Sequence, residues 1–124
     1  MTFEEIAQKL VEGCREGLAK ENLSLLYADD AVSVEPRPDE SGQREAHGRD
    51  AIRAKHIWWE ENFTVHSASV EGPFPGGDGR FAVLFELDAE VNATGARSHM
   101  KEVALYTVAD GKITREEFFY APGA

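Results

Sequence analysis

The 124 residues are expected to form one domain, 1–124, long enough to bury its own core. With 42% hydrophobic and 29% charged residues the chain is neither disordered nor fibrous, and one cysteine excludes a disulfide framework or a cysteine-rich zinc site. Thirteen basic against 23 acidic residues give −10 at pH 7, a charge that repels phosphate backbones and anionic lipid, so neither nucleic acid nor a membrane is an expected partner.

No apolar run approaches the ~20 residues of a spanning helix. Met1-Thr2-Phe3-Glu4-Glu5 lacks the basic start and apolar block of a signal peptide, so the expected location is cytoplasmic. Thr2 and Glu5 then fit a capping box, in which each side chain satisfies a free backbone N–H of a helix's first turn. Phe3, Ile6, Leu10, Cys14 and Leu18 recur at three- and four-residue steps and predict one apolar stripe. Cys14 reads as a small buried thiol, since no basic residue or histidine obviously shares its face.

A second short helix is predicted from about Glu21 to Tyr27, stopped by Asp29-Asp30. Ala31–Glu35 begin an extended stretch that Pro36 and Pro38 end, and residues 36–47 read as a surface loop. The third helix spans about Arg49 to Asn62, with Ile52, His56, Trp59 and Phe63 on its buried side. The period then changes from 3.6 to 2. Thr64–Val70, Phe81–Val91, Ser98–Val108 and Ile113–Tyr120 read as strands, with a turn region over Gly72–Gly79 and a tight hairpin at Asp110-Gly111. Strands joined by short turns pair antiparallel, which gives an α+β domain.

This order of elements resembles the SnoaL-like group of the nuclear transport factor 2-like superfamily. Leu26-Tyr-Ala-Asp-Asp-Ala31 looks like the group's end of the second helix, His47-Gly-Arg-Asp-Ala-Ile52 like its entry into the third, and Asp110-Gly-Lys-Ile113 with Glu116-Glu-Phe-Phe-Tyr120 like its final hairpin. The resemblance covers nearly the whole chain. It implies a cystatin-like cone: a strongly curved antiparallel sheet packed against three N-terminal helices, around a cavity for a hydrophobic small molecule. Superfamily members include ketosteroid isomerases, polyketide cyclases, dehydratases and binding modules without catalysis, so the fold does not fix an activity.

In the isomerases a carboxylate before a proline, downstream of the Tyr-Ala-Asp-Asp-Ala word, is the general base. Ungapped matching puts it on Glu35, before Pro36. The alternative is a Glu35 that opens the loop and points to water. His56 matches a pocket-lining aromatic; it reads either as a core histidine bonded to a carbonyl or as an acid/base partner of Glu35. The positions that donate to the developing enolate oxygen fall on Val11 and Val103, and neither side chain can donate.

Trp59 reads as a cavity wall. His99 and Lys101 share the face of Val103, and Glu116, Phe118 and Tyr120 share a face of the last strand. If these faces point inward, all of them line the cavity with Val11 and Trp59; a bulge would bring in Glu102 and Glu117 instead. The histidines lack zinc-ligand spacing, the Gly76–Gly79 run opens no phosphate-binding helix, and no Gly-x-Ser-x-Gly word occurs, so neither metal nor organic cofactor is expected. Two functions remain. One is an isomerase, cyclase or dehydratase working by acid–base chemistry on a hydrophobic carbonyl compound with Glu35 and His56. The other is a non-catalytic binding or dimerisation module. Large apolar residues on both faces of the last two strands predict a homodimer through the sheet.

Overall fold

The computed structural model describes residues 1–120. Helix α1 spans Phe3–Arg15 and starts with the expected capping box: Thr2 Oγ1 accepts the Glu5 N–H at 3.2 Å, and the Glu5 carboxylate accepts the Thr2 N–H at 2.9 Å. The helix ends one turn earlier than its apolar stripe suggests. Gly17 takes a left-handed φ of 75°, a common way to stop a helix, and Leu18 falls outside and is exposed. Helix α2 covers Ala19–Leu26. A Cβ at Gly13 would meet the Asn22 side chain at 2.3 Å, so glycine is what lets α1 and α2 approach this closely. Asn22 in turn donates to the Leu10 carbonyl at 3.2 Å.

Strand β1, Tyr27–Val34, begins directly at the end of α2, four residues before the expected start. Asp29 and Asp30 do not form a break; they are exposed positions in the irregular part of the strand, and Asp29 is paired with Arg49. Part of the expected loop is a short strand, β2, Glu45–His47, paired antiparallel with β1. Helix α3, Arg49–Asn62, lies where its periodicity placed it.

Strands β3 (Phe63–Gly77), β4 (Arg80–Val91), β5 (Arg97–Ala109) and β6 (Lys112–Tyr120) complete a curved, unclosed sheet in the order β2-β1-β6-β5-β4-β3. The Gly- and Pro-rich stretch after Val70 is strand, not turn. It tolerates two prolines because β3 is an edge strand and pairs with β4 through register shifts at Glu71/Phe74 and Pro75/Gly77. The turn itself is only Asp78-Gly79, with φ of 54° and 71°, and Asp110-Gly111 repeats it with 53° and 73°. Sequential strands pair antiparallel as expected, but β1 and β6 run parallel, so the sheet is mixed.

The helices cover one face. Ile6, Leu10, Leu23, Leu26 and Ile52 pack there against Phe81, Val83, Ala104, Tyr106 and Ile113, and the Phe81 ring stacks on Tyr106 at 5.0 Å. This inner face is the frame of the site.

Candidate functional site

Three elements bring polar side chains to the open end of the inner face. Strand alternation turns Ser33 and Glu35 inward at the end of β1, and Glu116, Phe118 and Tyr120 inward on β6, where Ser33 pairs with Glu116. Ile52, Lys55, His56 and Trp59 follow one stripe of α3. Glu116 is 2% exposed, a charge-bearing group in the core, and it needs donors. It has two: the Tyr27 hydroxyl donates to Oε1 and the Ser33 hydroxyl donates to Oε2 at 2.6 Å. The Lys55 ammonium donates to Ser33 Oγ at 2.7 Å and pairs with Glu35 Oε1 at 2.7 Å, lying 5.6 Å from the centre of the Phe118 ring. A hydrogen-bonded line thus runs from the buried carboxylate to the surface, where the Lys55 and Glu35 side chains are 30% and 37% exposed.

The register of β5 decides what faces this line. A shift between Thr107 and Val108, beside the hairpin turn, sets Tyr106 opposite Glu116, Ala104 opposite Phe118 and Glu102 opposite Tyr120. Glu102 therefore enters the site. Burial, reinforced by the negative charges of Glu35 and Glu116 and opposed by Lys55, pushes its carboxyl up to about 7. The opposite sign holds for His56: burial lowers its pKa, with Glu116 pulling the other way, so the imidazole is neutral at physiological pH. Cys14 is pushed up to about 12 by burial and then by Glu116, which leaves it a thiol, as the sequence suggested.

The bulge divides the expected ligand-binding set. Glu116, Phe118 and Tyr120 face inward, whereas His99, Lys101 and Val103 lie on the outer face, a correction caused by that one-residue shift. There His99 pairs with Glu86 at 2.7 Å and Val103 lies between Leu84 and Phe119. Glu117, the other bulge alternative, stays outside with Arg115. Val11 is fully buried among core side chains, and Trp59 stacks on Phe63 at 4.1 Å. Glu35 and His56 both reach the inner side, but not as a dyad: Glu35 is held by Lys55, and the leading carboxylate influence on His56 is Glu116.

Lys55 was missed because a lysine on a helix is read as solvated, although it lies three positions after Ile52 on the buried stripe. Tyr27 and Ser33 carried no motif; the one signal was Ser33's place two residues before Glu35. Two concavities lie elsewhere. One of about 90 Å³ is on the outer face at Leu84, Glu86 and Lys101, and one of about 300 Å³ is along the exposed side of α1 at Glu5 and Lys9. The site is thus a polar cluster at the open end of the inner face. It offers a carboxylate, a carboxyl that changes charge near neutrality, an ammonium and a neutral imidazole beside aromatic rings.

Residues 1–120 match the family described as the SnoaL-like domain. Among solved structures the chain is similar to a Mesorhizobium loti protein described as a SnoaL-like polyketide cyclase, at 43% identity and a TM-score of 0.89, covering 97% of this chain and 100% of that one. It is also similar to a nuclear transport factor 2-like protein from Burkholderia xenovorans (19% identity, TM-score 0.72, 96% and 88% covered). A Xanthomonas campestris protein with a cystatin-like fold aligns at 20% identity and a TM-score of 0.75, with 98% and 92% covered. No curated protein matches the chain.

Proposed function

This chain belongs to the SnoaL-like domain family, and on that premise we propose that it is an acid–base enzyme, an isomerase, cyclase or dehydratase acting on a hydrophobic carbonyl compound. The ligand lies between α3 and the inner face of the sheet. One observation carries this reading: two carboxyl groups, Glu35 and Glu102, lie on the same inner side, near enough for the charge of one to act on the other, in different surroundings. Glu35 is tied to an ammonium, while Glu102 is pushed up to about 7 by burial and like charge. Such a divergence separates base from acid. Glu35 takes the proton next to the carbonyl, Glu102 returns one, and neutral His56 closes the side of the cleft. No metal or organic cofactor enters this scheme. The polyketide cyclase description of the Mesorhizobium loti relative supports a carbonyl substrate.

The reading is tested by solvent deuterium exchange into a hydrophobic ketone, β-tetralone, followed by proton NMR. Wild type is expected to accelerate exchange over buffer, and Glu35→Gln and Glu102→Gln to lower it by about 100-fold or more. Equal exchange in wild type and both variants removes the catalytic reading. The binding-module alternative is favoured by one observation: among the described residues every buried side-chain polar atom has a hydrogen-bond partner, as in a purely structural network.

The outer face supports a homodimer. Leu84, Val103 and Phe119 form one row across it, Ala82 and Leu105 the next, and Phe119 and Phe74 are nearly half exposed. Among the described residues no helix is long and apolar enough to cross a membrane.

A further inference from the structure

The isomerase-like reaction leaves one requirement unmet by the residues discussed so far. Removing a proton beside a carbonyl places negative charge on the oxygen, and that charge needs a fixed donor. The positions the family resemblance pointed to are Val11, fully buried in the core, and Val103, on the outer face. Neither can serve. We propose that Lys55 is the oxyanion-binding group: its ammonium exchanges Glu35 for the carbonyl oxygen of the ligand and so frees Glu35 to remove the neighbouring proton. This rests on the acid–base reading above.

The geometry separates a fixed contact of Lys55 from an exchangeable one. Ser33 is fully buried and its hydroxyl is committed to Glu116 at 2.6 Å, so the Lys55–Ser33 bond is anchored to the core. The Glu35 carboxylate is 37% exposed at the surface end of the line, where water or a ligand can compete for it. An ammonium has three N–H groups; Ser33 and Glu35 engage two, and among the described residues the third has no acceptor, so it can meet an oxygen that then displaces the carboxylate. The backbone of Glu35 does not move with its side chain. Its N–H donates to the Arg44 carbonyl at 2.8 Å, and its own carbonyl accepts from Arg44 Nε at 3.0 Å. The displaced carboxylate therefore stays within the cleft. Phe118, over which the ammonium already lies, gives the apolar body of the ligand a ring to rest on.

The step balances within these groups. The C–H electron pair becomes the carbon–carbon double bond, the carbonyl π pair becomes a lone pair on oxygen, and the proton passes to Glu35. The oxyanion is held by Lys55 N–H, and the Glu102 carboxyl supplies the proton that ends the reaction. Free enzyme keeps its base engaged; only a ligand with a hydrogen-bonding oxygen releases it.

The test uses para-nitrophenol, whose phenolate is a planar hydrophobic oxyanion, and para-nitroanisole, which has the same shape and no ionisable oxygen. Binding is followed by absorbance on variants whose folding is checked by circular dichroism. Lys55→Met is expected to weaken phenolate binding about tenfold or more, and Lys55→Arg to retain it. Glu35→Gln is expected to tighten it, because the ammonium loses its competitor. Nitroanisole affinity is expected to be the same in all four proteins. Phenolate binding that ignores Lys55→Met overturns the proposal while leaving the ligand site in place. If Lys55→Met does not fold, an unchanged phenolate affinity in Glu35→Gln overturns it. Failure of both probes to bind wild type overturns this proposal and the hydrophobic-ligand reading together.

Discussion

The two faces of the sheet carry the same kinds of charge and treat them differently. Outside, β4 presents Glu86, Asp88 and Glu90 at every second residue, answered by His99 at 2.7 Å, Arg97 at 2.7 Å and His66 at 2.9 Å. Each acid has its own partner, and water screens every pair. Inside, one ammonium serves two acceptors, and one carboxylate takes two hydroxyl donors. Asp88, whose side chain is 36% exposed, is lowered by the Arg97 hydrogen bonds; Glu102, largely buried, is raised to about 7. Position relative to water, more than the charges themselves, decides which of these groups can do proton chemistry at neutral pH.

The contrast is broken most severely at Glu116. The double variant Tyr27→Phe/Ser33→Ala leaves that buried carboxylate without its donors, and a loss of about 3–5 kcal/mol is expected in urea unfolding. A loss below 1 kcal/mol would mean that water reaches the carboxylate and that the inner face is wetter than its burial implies.

Next in size is the pH response of Glu102. Its folded pKa is raised from 4.5 to about 7, so its contribution is full below the unfolded value and is lost as pH rises through the folded one. Wild type should lose on the order of 3 kcal/mol from this group between about pH 4.5 and pH 8.5. Glu102→Gln should lack that slope, which paired unfolding curves across the range will show. His56 works in the opposite sense: its folded pKa is lowered, so its contribution is full above the ordinary histidine value and fades as pH falls through the folded one.

A smaller effect sharpens the outer side. Phe119→Lys puts a charge into the Leu84–Val103–Phe119 row, and a wild-type dimer is expected to become a monomer in sedimentation at micromolar concentration, with the inner-face titrations unchanged. The smallest effect belongs to the exposed pairs. Asp88→Asn or His99→Gln should leave the unfolding midpoint essentially unchanged in the same assay.

Local chemistry made much of this legible beforehand. The Thr2–Glu5 box, the Asp110-Gly111 turn, the α3 stripe and the alternation of β4 are each written within a few residues, and each appears where expected. What escaped depends on distant neighbours. Whether Glu102 or Val103 faces inward turns on a single extra residue near Thr107, and strand alternation cannot reveal an insertion in the pairing. The prolines of β3 look like a turn until the strand is known to be an edge. Lys55 looks like a solvent residue until Ser33 is found beneath it. The Glu35–His56 dyad joined two residues that do reach the same side, but the ammonium next to His56 in the chain intervenes.

The parallel pairing of β1 with β6 gives the site a place in the history of each molecule. The donors to Glu116 lie 89 and 83 residues before it in the chain, and the strand that carries Glu116 is the last of the sheet to leave the ribosome. Contacts of such separation form late, because closing so long a loop costs entropy before anything is gained. Until β6 is in place between β1 and β5, the Tyr27 and Ser33 hydroxyls have no carboxylate to bind. The hydrogen-bonded cluster around Glu116 thus assembles only after β6 has been made and has paired with β1.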